Sequence, residues 1–350
     1  MPMTINRTSS STVALKHWLS LSRSAPLDIS LETTERHDDT FKEASSAHAV
    51  AMLHVLANEA HRWRSAALDM DPHLCGVFVD MLLNQFNPGS LPNLKRLEVF
   101  ALHDGGIKAP VKSLARAIGK ITSLAELYLI LNPDDNMPFI LRDIPWGQLT
   151  TVYLGMPLTV HQAAFFLAHS TAAVTAIFRC IYDTPVSISN AQRSVLPKLI
   201  NMTLNGTEGL LTIFDRFDFP CLEDLTVGLH SLTCVKPLER LMEGSRLSIR
   251  RFALHVTTRL SGSELAKYLH VQELRQIPHV EFGNSDILRI AAEAVVHLKK
   301  DIPILWSWNL RKGKSALVGN LNSTTLMSEL RALCRLPHAS RSIASIFCSF

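Results

Sequence analysis

The sequence lacks most of the features that would assign it a chemistry at sight. No P-loop, GxGxxG fingerprint or GxSxG elbow occurs, so neither a phosphate cradle nor a strained serine nucleophile has a motif to stand on. HExxH is absent, and none of the six cysteines (Cys75, Cys180, Cys221, Cys234, Cys334 and Cys348) forms a CxxC pair. Their spacing suits reduced, mostly buried thiols better than a disulfide framework or a zinc site. No apolar run approaches the roughly 18 residues needed for a membrane-spanning helix, and the opening MPMTINRTSSSTVALKHWL contains no secretory core. The expected compartment is therefore cytoplasmic or nuclear. Charge is also sparse, with 19% charged residues and a net charge of +4. The absence of a dense Lys/Arg block argues against nucleic acid, and no feature points to a membrane.

What the chain does have is apolar residues, 47% of the total, arranged in a repeat. Leu94-x-x-Leu97-x-Val99 has the form LxxLxL. It recurs as Leu124-x-x-Leu127-x-Leu129, Leu149-x-x-Val152-x-Leu154, Leu199-x-x-Met202-x-Leu204, Leu222-x-x-Leu225-x-Val227 and Ile249-x-x-Phe252-x-Leu254. Val174-x-x-Ile177 is a weaker copy and Val280-x-Phe282 a shortened one. The middle apolar positions, 97, 127, 152, 177, 202, 225, 252 and 280, are separated by 23 to 30 residues. Leucine-rich repeats span about 20–29 residues. In each copy the alternating apolar residues fall on one face of a short strand. The intervening segments return the chain, several of them as helices: Val111–Ile118, Leu232–Met242 and Ser263–Glu273 carry helical periodicity. The expected fold class is α/β, an irregular leucine-rich-repeat solenoid with parallel strands on a concave face and helices on a convex one. Asn132 alone fits the place three residues after the last apolar position, where regular repeats bond the turn, so irregular curvature is expected.

The first ninety residues supply two further strand–helix units. Residues 1–12 are polar and read as disordered. Thr12–Ser22 has helical spacing, Pro26–Leu31 alternates as a strand, Ser45–Ala60 reads as a helix, Arg62–Met70 leads into a strand, and Leu74–Asn84 reads as a helix. The segment from His17-Trp18-Leu19 through Ser22-Arg23-Ser24-Ala25-Pro26-Leu27-Asp28-Ile29-Ser30-Leu31 resembles the WL-x-RS-x-x-x-PL-x-(L/I)-x-L segment of fungal F-box/leucine-rich-repeat proteins. Arg62-Trp63 and Leu91-Pro92-Asn93-Leu94-Lys95-Arg96-Leu97 are similar as well, and the resemblance covers roughly residues 15–290. It implies a ubiquitin-ligase substrate receptor, whose F-box docks on a Skp-type adaptor and cullin while the repeats hold the target. An F-box would precede Trp18, where seventeen residues stand, and no LPxE-like box occurs elsewhere. Adaptor binding is thus expected only through an F-box encoded upstream. The expected organisation is a disordered N-terminus (1–12), N-terminal strand–helix units (13–90), irregular repeats (91–290) and a C-terminal capping region (291–350), with Trp306 and Trp308 in a capping strand and Ser328–Leu336 as a helix.

Few groups are placed for chemistry. His48, His54 and His61 lie on or beside one predicted helix without a third ligand or supporting shell. Asp104-Gly105-Gly106 reads as a turn. Asn132-Pro133-Asp134-Asp135-Asn136 is rich in oxygen ligands but lacks a calcium-loop pattern. The expectation is a protein with no catalytic, cofactor-binding or metal-binding residue. The non-core strand positions remain: Glu98, Phe100, Glu126, Tyr128, Thr151, Tyr153, Asn201, Thr203, Asp224 and Arg251, with Asp69, Thr226 and His255 beside them. Acids mixed with aromatics suit protein recognition, in which aromatics anchor and polar groups specify. The expected partner is a target protein on the strand face. The alternatives are a repeat scaffold with no ubiquitin-ligase link and an α/β enzyme without a recognisable motif.

Overall fold

A computed structural model describes residues 2–5, 12–32, 42–85, 91–101, 110–131, 137–182, 193–230, 249–257, 261, 263, 277–283, 306–311 and 314–319. The protein is α/β and divides into two compact units, Met1–Arg179 and Cys180–Phe350. In the first unit, β1 (Pro2–Ile5), β2 (Leu27–Glu32), β3 (Trp63–Asp69), β4 (Arg96–Ala101), β5 (Glu126–Leu131), β6 (Thr151–Thr159) and β7 (Thr175–Tyr182) lie side by side in chain order. The pairings from β1 to β6 are parallel. From Cys180 onward, β7 belongs to the second unit.

Alternation explains these strands. β4 buries Leu97, Val99 and Ala101, β5 buries Leu127, Leu129 and Leu131, and β6 buries Val152, Leu154, Met156 and Leu158, all 1% exposed or less. Each larger side chain contributes about 1.5–3 kcal/mol of transfer free energy, and the residues between them face the other way. Register is set where each strand begins. The Lys95 carbonyl accepts from Ala125 N and Glu126 N, at 2.9 and 2.8 Å. Ala125 does the same for Thr150 and Thr151, and Thr150 for Val174 and Thr175. A side-chain ladder runs alongside: Asn93 Nδ2 donates to the His61 carbonyl (2.8 Å), Ser123 Oγ to those of Leu91 and Leu94 (2.8 Å each), and Gln148 Nε2 to those of Ile121 and Leu124 (3.2 and 3.1 Å).

Parallel strands need long crossovers, and helices supply them: α1 (Thr12–Ser22), α2 (Lys42–Ala57), α3 (Pro72–Asp80), α4 (Val111–Gly119), α5 (Met137–Ile140) and α6 (Val160–His169). α3 starts two residues earlier than its apolar spacing predicts. Asp71 accepts from Leu74 N at 2.7 Å and Pro72 occupies the first turn, a pairing of N-cap and proline that favours a helix start. Its far end continues as a π-helical turn, Met81–Gln85. α6 carries a full capping box, with Gln162 N donating to Thr159 Oγ1 and Thr159 N to Gln162 Oε1 (3.1 and 2.8 Å). α2 spans Lys42–Ala57, shifted from the expected Ser45–Ala60, because a 3-10 turn takes Ala60–Arg62.

That turn delivers Arg62 and Trp63 to the core. Arg62 is 6% exposed, and its guanidinium donates to Ser22 Oγ (2.7 Å), the Ala25 carbonyl (3.0 Å) and Glu59 Oε2 (3.0 Å). It ties the end of α1 to the start of β2, where Arg23 takes a left-handed φ of 49° to stop the helix. Trp63 is fully buried, with Nε1 donating to the Leu56 carbonyl at 3.1 Å. Pro2–Ile5, within the stretch read as disordered, is strand β1, paired in parallel along the outer edge of β2. The expectation for β7 is corrected by one residue. Ala176 and Phe178 are buried while Ile177 is only half-buried, so Ala176 is the equivalent of Leu127.

In the second unit, β9 (Asn201–Gly206), β11 (Asp224–Leu229), β12 (Arg251–Val256) and β13 (His279–Gly283) are parallel neighbours. β15 (Lys314–Gly319) adds antiparallel to β13, and β14 (Trp306–Arg311) adds outside it. β8 (Ser194–Val195) and β10 (Phe217–Asp218) form a separate small ribbon. A 3-10 helix, Glu208–Asp215, returns the chain from β9 and buries Leu210, Leu211, Ile213 and Phe214. Thr207 N donates to the Ile181 carbonyl at 2.8 Å, and a Cβ on Gly206 would collide with that backbone, so only glycine fits. The helices expected at Leu232–Met242, at Ser263–Glu273 beyond Ser263 and at Ser328–Leu336, the loops at Asp104–Gly106 and Asn132–Asn136, and Cys234, Cys334 and Cys348 lie outside the described residues. No helix among the described residues is long and apolar enough to cross a membrane.

Candidate functional site

The non-core strand positions form rows because the register is continuous. In the first unit one row is Ser65, Arg96, Glu126 and Thr151, and the next is Ala67, Glu98, Tyr128 and Tyr153. A third holds Asp69, Phe100 and Ile130, and Gly155 abuts Ile130, whose Cγ1 would lie 2.6 Å from an added Cβ. The structure thus gathers the six predicted residues of β4–β6 into one surface. All are half-buried, as expected for side chains lying along a sheet.

Their contacts form a chain across four strands. The guanidinium of Arg96 lies over the Tyr128 ring, 4.5 Å from its centroid. Tyr128 stacks on Tyr153, with centroids 5.5 Å apart and an interplanar angle of 29°. Arg179, from β7, covers Tyr153 with its guanidinium 5.5 Å from the centroid. Stacking of this kind contributes about 0.5–1.5 kcal/mol per aromatic pair, and an exposed cation over a ring about 0.5–1 kcal/mol. Two carboxylates hold Arg96 in place: Glu98 at 2.7 Å and Glu126 at 3.5 Å. Burial, opposed by Arg96 and reinforced by Glu126 and Glu98, keeps the Tyr128 phenol above its ordinary value, so the ring stays neutral at physiological pH.

Arg96 and Arg179 were absent from the residues singled out by sequence. Arg96 was within reach, since the alternation that exposes Glu98 exposes the residue two before it. Arg179 was hidden by the apolar run Val174-x-Ala176-Ile177-Phe178, in which either phase can be core. On β2, Asp28 accepts from Arg64, which lies on it at short range, and from Ser65 Oγ at 2.9 Å. The Arg64 hydrogen bonds hold this carboxyl below its usual range against the opposing effect of burial.

In the second unit the rows are Asn201, Asp224, Arg251, His279 and Thr203, Thr226, Ala253, Glu281. Asn201, Thr203, Asp224 and Arg251 therefore also share a face. Arg251 bridges Asp224 (3.3 Å) and Glu281 (3.5 Å), the latter unmarked by the sequence reading. His255 leans over Gly283, where an added Cβ would strike its ring.

Burial, with Asp71 adding to it, pushes the Cys75 thiol up to about 12, which keeps it protonated and unreactive. His48 and His54 sit on α2 and His61 on the following turn. Among the described residues no group of three His, Cys, Asp or Glu side chains is placed to hold a metal ion. The strand face of the first unit thus presents two stacked tyrosines between guanidiniums, with carboxylates beside Arg96. Compared with known proteins, the chain matches no family model and no curated protein.

Proposed function

We propose that this chain is a non-enzymatic protein-interaction module, an irregular leucine-rich-repeat solenoid whose strand face binds a target protein. The observation that carries this reading is the register-matched face of β4–β7, where Arg96, Tyr128, Tyr153 and Arg179 stack into a preorganised surface. Tyr and Arg are the residue types that anchor protein interfaces, and stacking removes side-chain entropy before a partner arrives. Parallel strands recurring at a step near that of leucine-rich repeats, with helical returns, support the solenoid reading. Resemblance of the N-terminal segment to fungal F-box/leucine-rich-repeat proteins supports a more specific role as the substrate-holding part of a ubiquitin ligase. In that role a Skp-type adaptor and cullin would join through an F-box encoded upstream, in the cytoplasm or nucleus.

The test is site-specific photo-crosslinking in native-cell extract, with the photoreactive group at Thr151 or, for contrast, at exposed His54 on α2. A discrete crosslinked protein from Thr151 alone is expected; crosslinking equal from both sites, or from neither, contradicts the reading. Recovery of the adaptor with a form extended through upstream coding sequence tests the ligase role separately.

A further inference from the structure

The charges on the first unit's face are not evenly spread. Arg96 is engaged by Glu98 and Glu126, so that cluster, on β4 and β5, carries one negative charge in excess. At the other end, on β7, Arg179 is exposed and stacked on Tyr153, and among the described residues no carboxylate lies within ion-pair distance of it. Between the two ends stand the paired tyrosine rings, with Ile130 and Gly155 beside them. The surface is therefore acidic at β4–β5, apolar and aromatic at β5–β6, and basic at β7.

Resting on the reading above, we propose that the partner presents an extended segment crossing these strands, with a basic residue at position i, an apolar residue at i+2 and an acidic residue at i+4. The spacing follows from the sheet. Adjacent strands lie about 4.8 Å apart. From the midpoint of β4 and β5 to β7 is two and a half spacings, roughly 12 Å. An extended chain advances about 3.3 Å per residue and returns to the same face every second residue, so i and i+4 span roughly 13 Å on one face. The residue at i+2 then falls over the rings of Tyr128 and Tyr153. Its basic neighbour meets the Glu98–Glu126 carboxylates, and its acidic neighbour meets Arg179. Complementary charges of this kind fix register and exclude wrong partners.

The experiment is selection of a random-peptide phage library on the full chain, repeated on Arg179→Glu and on Tyr153→Ala. Enrichment of Lys or Arg four residues from Asp or Glu, in either chain direction and with an apolar residue midway, is the expected result. Arg179→Glu should convert the acidic position to a basic one while leaving the other end unchanged. Failure to enrich any peptide, or enrichment with charges unrelated to Arg179, overturns the proposal. Peptides that Tyr153→Ala loses but that carry no such charge pattern would leave the strand-face reading standing and remove this one. Circular dichroism and thermal melting of each variant confirm that the chain remains folded.

Discussion

The two units place the same backbone device under different side chains. In the first, the face positions of β4–β7 hold Arg96, Tyr128, Tyr153 and Arg179 in contact, with Phe100 and Ile130 alongside. In the second, the corresponding positions of β9, β11 and β12 hold Thr203, Thr226 and a buried Ala253, with Asn205, Gly228, His255 and Gly283 in the next row. Its charges close on themselves as Asp224, Arg251 and Glu281. The core positions are equally apolar in both. Folding constrains the inward residues and leaves the outward ones free, so the aromatic stack, present among the described residues only on the first unit's face, is the ground on which we place recognition there. The side-chain ladder of Asn93, Ser123 and Gln148 sharpens the contrast. At the matching positions the second unit has Lys198 and Cys221, which make no such bond among the described residues.

The largest effect is expected where the core is most committed. Trp63→Ala should cost about 3–5 kcal/mol, since the side chain is fully buried and its indole N–H is bonded; urea unfolding checks this. Leu127→Ala and Leu225→Ala, both 0% exposed, should each cost about 2–5 kcal/mol, confirming that the units differ on the face and not in the core. Next is the ladder. Gln148→Ala leaves the Ile121 and Leu124 carbonyls without their side-chain donor and should cost about 1–3 kcal/mol. Cys221→Ala in the second unit is exposed and should stay within about 0.5 kcal/mol. Equal costs would erase that part of the contrast.

Smaller still is the face itself. Tyr128→Ala should cost about 0.5–1.5 kcal/mol in lost stacking, and Thr226→Ala should stay within about 0.5 kcal/mol, measured as shifts in the unfolding midpoint. The smallest effect concerns acid. The folded-state pKa of Asp28 lies below its ordinary value of 3.8. Its contribution is therefore present above that value and is lost as the pH falls through the lower folded value. Asp28→Asn should lower stability slightly at neutral pH, by little because the Arg64 partner is exposed, and the difference from wild type should shrink as the pH falls below about 4.

The strands were legible because alternation has a period of two and each LxxLxL copy carries it without ambiguity. β4, β5, β6, β9, β11 and β12 coincide with their copies. Legibility failed where neighbouring residues were apolar in both phases, as at Ala176-Ile177-Phe178, or where no side-chain pattern was needed, as for β1, which pairs through backbone along an open edge. Helix limits moved by a few residues because Asp71-Pro72 and the turn at Ala60–Arg62, rather than apolar spacing, decide them. The set Glu98–Tyr153 was readable as a surface. The stack was not, because Arg96 and Arg179 take their meaning from neighbours 32 and 26 residues away, Tyr128 and Tyr153.

The central claim, that the first unit's face holds a protein partner, is met most directly by quantitative affinity purification from native cells. The full chain, Tyr128→Ala/Tyr153→Ala and Thr203→Ala/Thr226→Ala would be compared. A defined partner should be lost with the tyrosine pair and retained with the threonine pair. Equal recovery with all three, or loss with the threonine pair alone, would contradict it.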